Sequence, residues 1–262
     1  MRIAIGLEYD GSGFHGWQSQ PFGCTLQDEI EAAVSVIAGG KTEVFGAGRT
    51  DRGVHALRQV AHFDIGVERP LQAWVRGVNS HLPQGIAVLW ARPVADEFHA
   101  RFSAISRRYR YLLLNRAVRP GLMNGKVGWC HWLLDVEKMQ EGASHLVGEH
   151  DFSAFRAAEC QANSPVRELH AIDIARHGDL VVFDISANAF LHHMVRNIVG
   201  SLVFVGKGKC GPDWILELLK AKDRTLAAPT FSPSGLYLAE VAYDSKWGLP
   251  SQAGCGIELE GI

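Results

Sequence analysis

The sequence predicts an α+β protein built from two tandem β-α-β-β-α-β halves. Its 262 residues are enough for one large domain or for two halves around a shared core. Stretches of alternating apolar and polar residues, typical of strands, are interspersed with stretches of helical periodicity. The same order of elements then occurs a second time along the chain. Apolar residues make up 47% and charged residues 21%, as in ordinary globular domains.

The N-terminal half begins with an alternating strand and a helix whose first residues, Thr25 and Asp28, form a capping box. Gly39 and Gly40 follow this helix and favour its termination. In chain order the predicted elements are strand Arg2–Tyr9, helix Thr25–Ala38, strand Thr42–Gly46, strand Arg58–Ile65, helix Leu71–Leu82 and strand Ile86–Ala95.

The C-terminal half repeats this order with one additional helix. Its predicted elements are strand Ile105–Asn115, helix Asp135–Val147, strands Val166–His177 and Leu180–Ala187, helices Asn188–Val205 and Pro212–Ala221, and strand Leu236–Tyr243. Such a repeat is typical of ferredoxin-like or RRM-like halves. We expect their antiparallel sheets to join around a central cleft. The predicted boundaries are 1–104 for the first half, 105–245 for the second and 246–262 for a tail.

Several classes of protein are disfavoured by composition. The five cysteines are odd in number, widely scattered and without a C-x-x-C pair, which argues against a disulfide framework and a zinc site. Reduced thiols favour a cytoplasmic location. No apolar run is long enough to span a membrane, and the N-terminus lacks the features of a signal peptide.

Positive charge is concentrated in the middle of a chain whose net charge is −2. Residues 49–119 contain 12 Arg, no Lys and five acidic residues. A basic region inside a neutral protein is what a localised phosphate-binding cleft requires, and Arg favours forked contacts to phosphate. The alternative is that these arginines pair with acids from elsewhere in the fold.

A polar, glycine-rich segment from Gly46 to Ala56 joins two predicted strands, which is where functional residues often lie. Asp51 is its only acid, and Arg49 and Arg52 are close to it in sequence. Nearby cations keep a carboxylate ionised, so Asp51 suits a nucleophile or an electrostatic partner. The alternative is an Asx turn in which Asp51 caps its own backbone.

Two further segments carry candidate residues. In the strand from Ser106 to Tyr111, Tyr109 shares one face with Tyr111, and Arg108 and Arg110 share the other. Aromatic rings beside arginines can stack on bases and hold phosphates, although such a strand can equally be half-buried with its arginines in solvent. Arg196 is a lone charge in an apolar helix, so it either reaches water or pairs with a buried carboxylate.

Motifs for bound nucleotides, metals or redox cofactors are missing. The sequence has no Walker A loop, no G-x-G-x-x-G after a strand, no H-E-x-x-H and no zinc-deaminase signature. We therefore expect no cofactor and no metal.

The sequence resembles the tRNA pseudouridine synthase A family along nearly its whole length. The resemblance rests on Gly46-Ala47-Gly48-Arg49-Thr50-Asp51 with Gly53-Val54-His55, Glu8-Tyr9-Asp10-Gly11, Gly16-Trp17-Gln18, Phe98-His99-Ala100-Arg101-Phe102-Ser103, Arg107-Arg108-Tyr109-Arg110-Tyr111, Gly148-Glu149-His150-Asp151-Phe152, Phe190-Leu191-His192-His193-Met194-Val195-Arg196-Asn197 and Ala221-Lys222-Asp223-Arg224. Each segment is weak alone, but their combination in this order is specific.

The resemblance implies a role for each main candidate. Asp51 would be the catalytic aspartate in the central catalytic cleft, and Tyr109 would stack on the target uracil. Arg196 would pair with the aspartate, and Arg49 would help to flip or hold the nucleotide. Arg52 stands where the family usually has alanine, which alters the charge beside Asp51.

The resemblance also implies a homodimer that needs no cofactor and modifies uridines 38 to 40 in the anticodon stem-loop of tRNA. Further contacts to the RNA are expected from the basic middle of the chain, at Arg52, Arg58, Arg107, Arg108 and Arg110.

Two other functions fit parts of the sequence. A non-catalytic RNA-binding protein built from two RRM-like sheets would need the arginines but not Asp51. A glycoside hydrolase would need a second carboxylate near Asp51, for which Asp10, Asp151 and Asp184 are the candidates.

Overall fold

The computed structural model describes residues 1–250 and has a mixed α+β fold. Its strands are β1 (Arg2–Tyr9), β2 (Phe45–Gly46), β3 (His55–Asp64), β4 (Ile86–Val94), β5 (Ala104–Asn115), β6 (Gly128–Cys130), β7 (Gly148–Asp151), β8 (Val166–His177), β9 (Leu180–Ala187) and β10 (Leu236–Tyr243). Its α-helices are α1 (Leu26–Ala38), α2 (Val136–Ser144), α3 (Met194–Gly206) and α4 (Trp214–Ala221).

The chain divides into two compact units, one formed by residues 1–105 with 237–250 and the other by residues 106–236. In the first unit, antiparallel pairing gives the strand order β4-β1-β3-β2. β10 pairs with β3 in parallel, with Tyr237 opposite His55. The sequence assigned this last strand to the C-terminal half, whereas its pairing with β3 groups it with the N-terminal unit.

The first unit buries the apolar face of its sheet under helices. Thr25 caps α1 by accepting a hydrogen bond from the backbone N–H of Asp28 (3.3 Å), as the capping box predicts. The buried face of α1 is formed by Leu26, Ile30, Ala33 and Val34. A π-helical turn, Ala73–Gly77, takes the place of the central part of the predicted second helix, and its Trp74 packs on Phe63 of β3.

The second unit has the strand order β5-β9-β8-β7, and β6 pairs in parallel with β5. The register places Tyr109 opposite Ile185 and Arg110 opposite Asp184. Almost every residue of α3 is buried, as expected for a helix that is apolar nearly all round.

The sequence predicted a helix at Asn188–Val205, and this prediction is wrong for residues 188–193. α3 begins only at Met194, because His193 has a φ of 62° and a left-handed residue cannot continue a right-handed helix. His192 therefore lies before the helix, and Arg196 lies in its first turn.

Within residues 1–250, the helices are all too short or too polar to span a lipid bilayer. Of the predicted tail 246–262, residues 251–262 lie outside the part of the chain that the structure describes.

His62 on β3 makes the first unit sensitive to acid. Its side chain is 2% exposed, its Nδ1 accepts the backbone N–H of Ala100 (3.2 Å), and its ring stacks on Phe45. Burial, with a smaller contribution from the neighbouring His99, lowers the pKa of His62 from 6.5 to about 4. The unfolded chain binds this proton near pH 6.5 and the folded chain only near pH 4, so stability falls as the pH drops through that window.

We predict that His62 contributes about 3 kcal/mol to the loss of stability between pH 7 and pH 4. His62→Asn, whose Oδ1 can replace Nδ1 as the acceptor, should flatten the pH dependence of the free energy of unfolding measured in urea. His177→Asn, a change at an exposed histidine, should leave it as in the wild type. Equal slopes in all three proteins would contradict the prediction.

Candidate active site

Residues 47–54, here called the Asp51 loop, connect the antiparallel strands β2 and β3. The loop ends in a tight turn closed by a hydrogen bond from the N–H of Val54 to the carbonyl oxygen of Asp51 (3.1 Å). Gly53 has a φ of 80° at the third position of this turn, where glycine is the favoured residue. The turn leaves Asp51 half-buried at its first position.

The segment after β1 holds the Asp51 loop from one side. The N–H of Trp17 donates to the carbonyl oxygen of Thr50 (2.9 Å). A Cβ at Gly16 would lie 2.7 Å from the same oxygen, and Gly16 has a φ of 92°. Glycine alone meets both requirements, so Gly16 allows the two backbones to approach this closely.

A buried polar network holds the loop from below. The side-chain amide of Gln59, which is fully buried, accepts from the N–H of Gly48 (3.3 Å) and donates to its carbonyl oxygen (2.7 Å). The hydroxyl of Tyr9 lies 2.9 Å from Oγ1 of Thr50 and 3.4 Å from Nε2 of Gln59. Gly48 and Thr50, on either side of Arg49, are thereby fixed to β1 and β3.

The three candidate arginines of this unit differ in their exposure to solvent. Arg49 and Arg52 are exposed, whereas Arg58 lies partly buried on β3, outside the loop. Arg49 and Arg52 therefore present two guanidinium groups to solvent within two residues of Asp51 in sequence, where they favour bound anions.

In the second unit, Tyr109 lies on β5 and is 9% exposed. Its ring meets the ring of Phe190 edge to face, with centroids 5.0 Å apart. Tyr111, two residues along, is fully buried and donates its hydroxyl to the carbonyl oxygen of Ser232 (2.8 Å). Both tyrosines thus lie on the buried face of the strand, as the alternation predicts.

The three arginines beside Tyr109 are differently placed. Arg110, 12% exposed, donates from Nε and Nη2 to Oδ2 of Asp184 (2.9 and 2.6 Å). Arg108 lies 3.6 Å from Oδ1 of the same carboxylate. Arg107 donates to the carbonyl oxygen of Asn188 (3.1 Å). Asp184 therefore compensates one of the three positive charges, and Arg110 is the least accessible of the three to a phosphate.

Arg196 lies in the first turn of α3 and is held by two hydrogen bonds to the backbone of Phe231. Its Nε donates to the carbonyl oxygen of Phe231 (2.9 Å), and its carbonyl oxygen accepts the N–H of Phe231 (3.2 Å). The next residue, Asn197, is fully buried and accepts from Arg224 and Thr230 through Oδ1 (3.0 and 2.7 Å). These hydrogen bonds fix the first turn of α3 against the segment 224–231.

The three acids considered as the second carboxylate of a glycoside hydrolase each stabilise local structure. Asp10 accepts the N–H of Ser12 (3.0 Å), and Asp184 pairs with the arginines described above. Asp151 accepts from the N–H of Ser153 (3.0 Å) and pairs with Lys222 (3.1 Å). Burial opposes ionisation of Asp151, but these hydrogen bonds outweigh it and lower its pKa.

Sequence reasoning selected the Asp51 loop but not the residues that hold it, namely Tyr9, Trp17 and Gln59. Gln59 carried a usable signal, since it is a polar residue followed by the apolar Val60 and Ala61 in a predicted strand. A buried amide at such a position has to find partners, and here the partners are in the loop.

We predict that Gly16→Ala destabilises the protein, on the order of 1–3 kcal/mol, because it combines an unfavourable φ with a clash against the Thr50 carbonyl. Gly13→Ala is the matched control, since an added Cβ there meets no atom within 4 Å. Urea unfolding of the two variants measures the difference. Equal stability would show that the loop can move away from Gly16 at little cost.

Comparisons with known proteins place the whole chain among its relatives. A family model described as "tRNA pseudouridine synthase" matches residues 6–103 and 143–244. A protein named tRNA pseudouridine synthase A from Dechloromonas aromatica (strain RCB) is 64% identical over 250 residues, covering 95% of both chains. A protein of the same name from Thiobacillus denitrificans (strain ATCC 25259 / T1) is 60% identical over 253 residues, covering 97% of both chains.

A solved structure titled "Crystal Structure of a Cbf5-Nop10-Gar1 Complex" aligns with 90% of this chain at 12% identity and a TM-score of 0.41. This chain spans 48% of that one, about half its length. The family model, by contrast, matches most of the chain, and the named relatives match it almost from end to end. The chain belongs to the tRNA pseudouridine synthase family.

Proposed function

We propose that this enzyme converts uridines 38 to 40 in the anticodon stem-loop of tRNA to pseudouridine, with Asp51 as the attacking carboxylate. The observation that carries the assignment of Asp51 is its position. It is a half-buried acid at the first position of a tight turn, in a loop held by buried hydrogen bonds and flanked by exposed arginines. Family membership identifies an isomerase, and it therefore disfavours both the non-catalytic RNA-binding protein and the glycoside hydrolase.

The reaction breaks the bond between ribose C1′ and uracil N1, turns the base and joins C1′ to C5. The proton on C5 is lost and N1 gains one, so no electrons are exchanged and no external redox partner is consumed. A glycosidase needs two carboxyl groups because its leaving alcohol must be protonated. Uracil leaves as an anion delocalised over its carbonyls, so a single carboxylate suffices. That carboxylate either attacks C1′ or removes the 2′ proton to give a glycal.

Tyr109 and Arg196 have supporting roles in this proposal. The ring of Tyr109 stacks on the detached uracil and holds it while it turns, and its own orientation is set by Phe190. Arg196 keeps the carboxylate of Asp51 ionised, as the family resemblance implies, and the Phe231 carbonyl orients its guanidinium. Arg49 holds the flipped nucleotide.

Binding of the RNA backbone offsets the cost of extruding the uridine, roughly a few kcal/mol. The exposed Arg49 and Arg52 are the strongest candidates for phosphate contacts in the first unit. Arg107 and Arg108 take this role in the second. Arg58 and Arg110 are partly buried and would contribute mainly through their charge.

We further propose that the enzyme acts as a homodimer in the cytoplasm and that its halves, predicted from the sequence as 1–104 and 105–245, repeat one β-α-β-β-α-β arrangement, in which β10 is the last strand of the second repeat although it pairs with β3 of the first unit. The strand order β4-β1-β3-β2 in the first unit, with helices between its strands, supports the RRM-like assignment. The succession β5, α2, β8, β9, α3 in the second unit supports the repeat. The joining of the halves around a catalytic cleft stays a prediction.

We predict that Asp51→Asn lowers pseudouridine formation by about a thousandfold or more while changing the Kd for tRNA less than about threefold. Tritium release from tRNA labelled at C5 of uridine measures turnover, and filter binding measures Kd. Asp96→Asn removes an exposed carboxylate from the same unit and should leave turnover unchanged. Near-normal tritium release by Asp51→Asn would refute the assignment.

We predict that Tyr109→Leu slows single-turnover pseudouridine formation about 5- to 150-fold, the equivalent of about 1–3 kcal/mol of base stacking. Tyr109→Phe keeps the ring and should retain most of the stacking contribution. A Tyr109→Leu enzyme as fast as the wild type would exclude the stacking role. A Tyr109→Phe enzyme as slow as Tyr109→Leu would assign the effect to the hydroxyl instead.

A further inference from the structure

The Asp51 loop contains residues with high backbone freedom, although it has to keep the reacting carboxylate in a defined position. Gly48 and Gly53 lie within it, and glycine has more backbone freedom than any other residue. A catalytic group has to stay within about 0.5 Å of its productive position, and misplacement by 1 Å can cost a hundredfold in rate. The loop therefore needs restraints from outside.

Tyr9 supplies one of these restraints at the residue that precedes Asp51. Its hydroxyl lies 2.9 Å from Oγ1 of Thr50. Both groups are buried, with Tyr9 4% and Thr50 6% exposed, so water does not readily replace either partner. The other end of the loop is tied separately, through the turn between Asp51 and Val54.

The hydrogen-bond network allows Tyr9 to act as the donor in this contact. Gln59 donates through Nε2 to the carbonyl oxygen of Gly48 (2.7 Å) and to the hydroxyl of Tyr9 (3.4 Å). Because the Tyr9 oxygen accepts from Gln59, its own proton can be directed to Thr50. Gln59 itself is fully buried on β3, so the chain of hydrogen bonds starts from a rigid strand.

We propose that Tyr9 is a positioning residue for Asp51 and that it acts through the Thr50 hydroxyl. The proposal rests on the catalytic role of Asp51 given above. Tyr9 does not touch the substrate; it restricts the Thr50–Asp51 backbone to the conformation in which the carboxylate can react. Its loss affects the rate of the chemical step and leaves tRNA binding, which the exposed arginines provide, in place.

Tyr9→Phe removes only the hydroxyl and tests this directly. We expect kcat to fall about tenfold, the equivalent of one buried hydrogen bond, with KM for tRNA unchanged within twofold. Tyr243→Phe is the matched control, because Tyr243 lies in the same unit and donates its hydroxyl to the carbonyl oxygen of Ala100 (2.6 Å). This control should lower Tm to a similar extent and keep the kcat of the wild type. Equal kcat in Tyr9→Phe and Tyr243→Phe would overturn the proposal.

A double-mutant cycle separates a specific contact from general destabilisation. Thr50→Val removes the other partner of the hydrogen bond at nearly constant shape, and Thr50→Ser keeps the hydroxyl. We expect Tyr9→Phe with Thr50→Val to be no slower than the slower single variant, and Thr50→Ser to retain most of kcat. Additive losses in the double variant would refute the coupling. If Tyr9→Phe does not fold, the proposal is tested by comparing Thr50→Val with Thr50→Ser. Equal kcat in these two variants would contradict it.

Asp51→Asn in the same assay distinguishes the failure of this proposal from the failure of the proposed function. If Asp51→Asn is inactive and Tyr9→Phe is fully active, the catalytic assignment stands and the positioning role is wrong. If Asp51→Asn is active, the catalytic assignment itself is wrong, and the positioning role fails with it.

Discussion

The close approach of residues 16 and 17 to the Thr50 carbonyl determines where the Asp51 loop lies. Trp17 donates to that oxygen, and only a glycine at position 16 lets the two segments come so near. The buried amide of Gln59 then fixes Gly48 from the strand side. Asp51 is therefore placed by backbone contacts of its neighbours, and the mobility expected of a glycine-rich loop is removed by tertiary structure.

The elements that alternate regularly could be predicted from the sequence. The strands Arg2–Tyr9, Val166–His177 and Leu180–Ala187 have the bounds that their patterns indicated. The two short strands β6 and β7 were not predicted, because three or four residues contain too little periodicity. The start of α3 was missed because the apolar residues Ala189, Phe190 and Leu191 extend the helical pattern toward the N-terminus, and nothing in the sequence signals the left-handed conformation of His193.

For the candidate site, sequence alone identified the Asp51 loop, because glycines and charged residues at that density do not suit a packed core. It did not identify the support. Tyr9 and Thr50 are 41 residues apart, and Tyr111 and Ser232 are 121 apart. Such contacts depend on the pairing of strands, which local patterns do not encode. The charge count was also only partly informative, since Arg110, counted as a phosphate contact, is compensated by Asp184 from the acidic C-terminal part of the chain.

The parallel pairing of β10 with β3 has a consequence for biosynthesis. The first unit is discontinuous, and residues 106–236 must all leave the ribosome before Tyr237 and Leu238 can add to the edge of β3. At ordinary translation speeds this delay is on the order of ten seconds. During that time the His55–Ala56 end of β3, which β2 does not pair with, is open to pairing with other chains, as unpaired strand edges in general are.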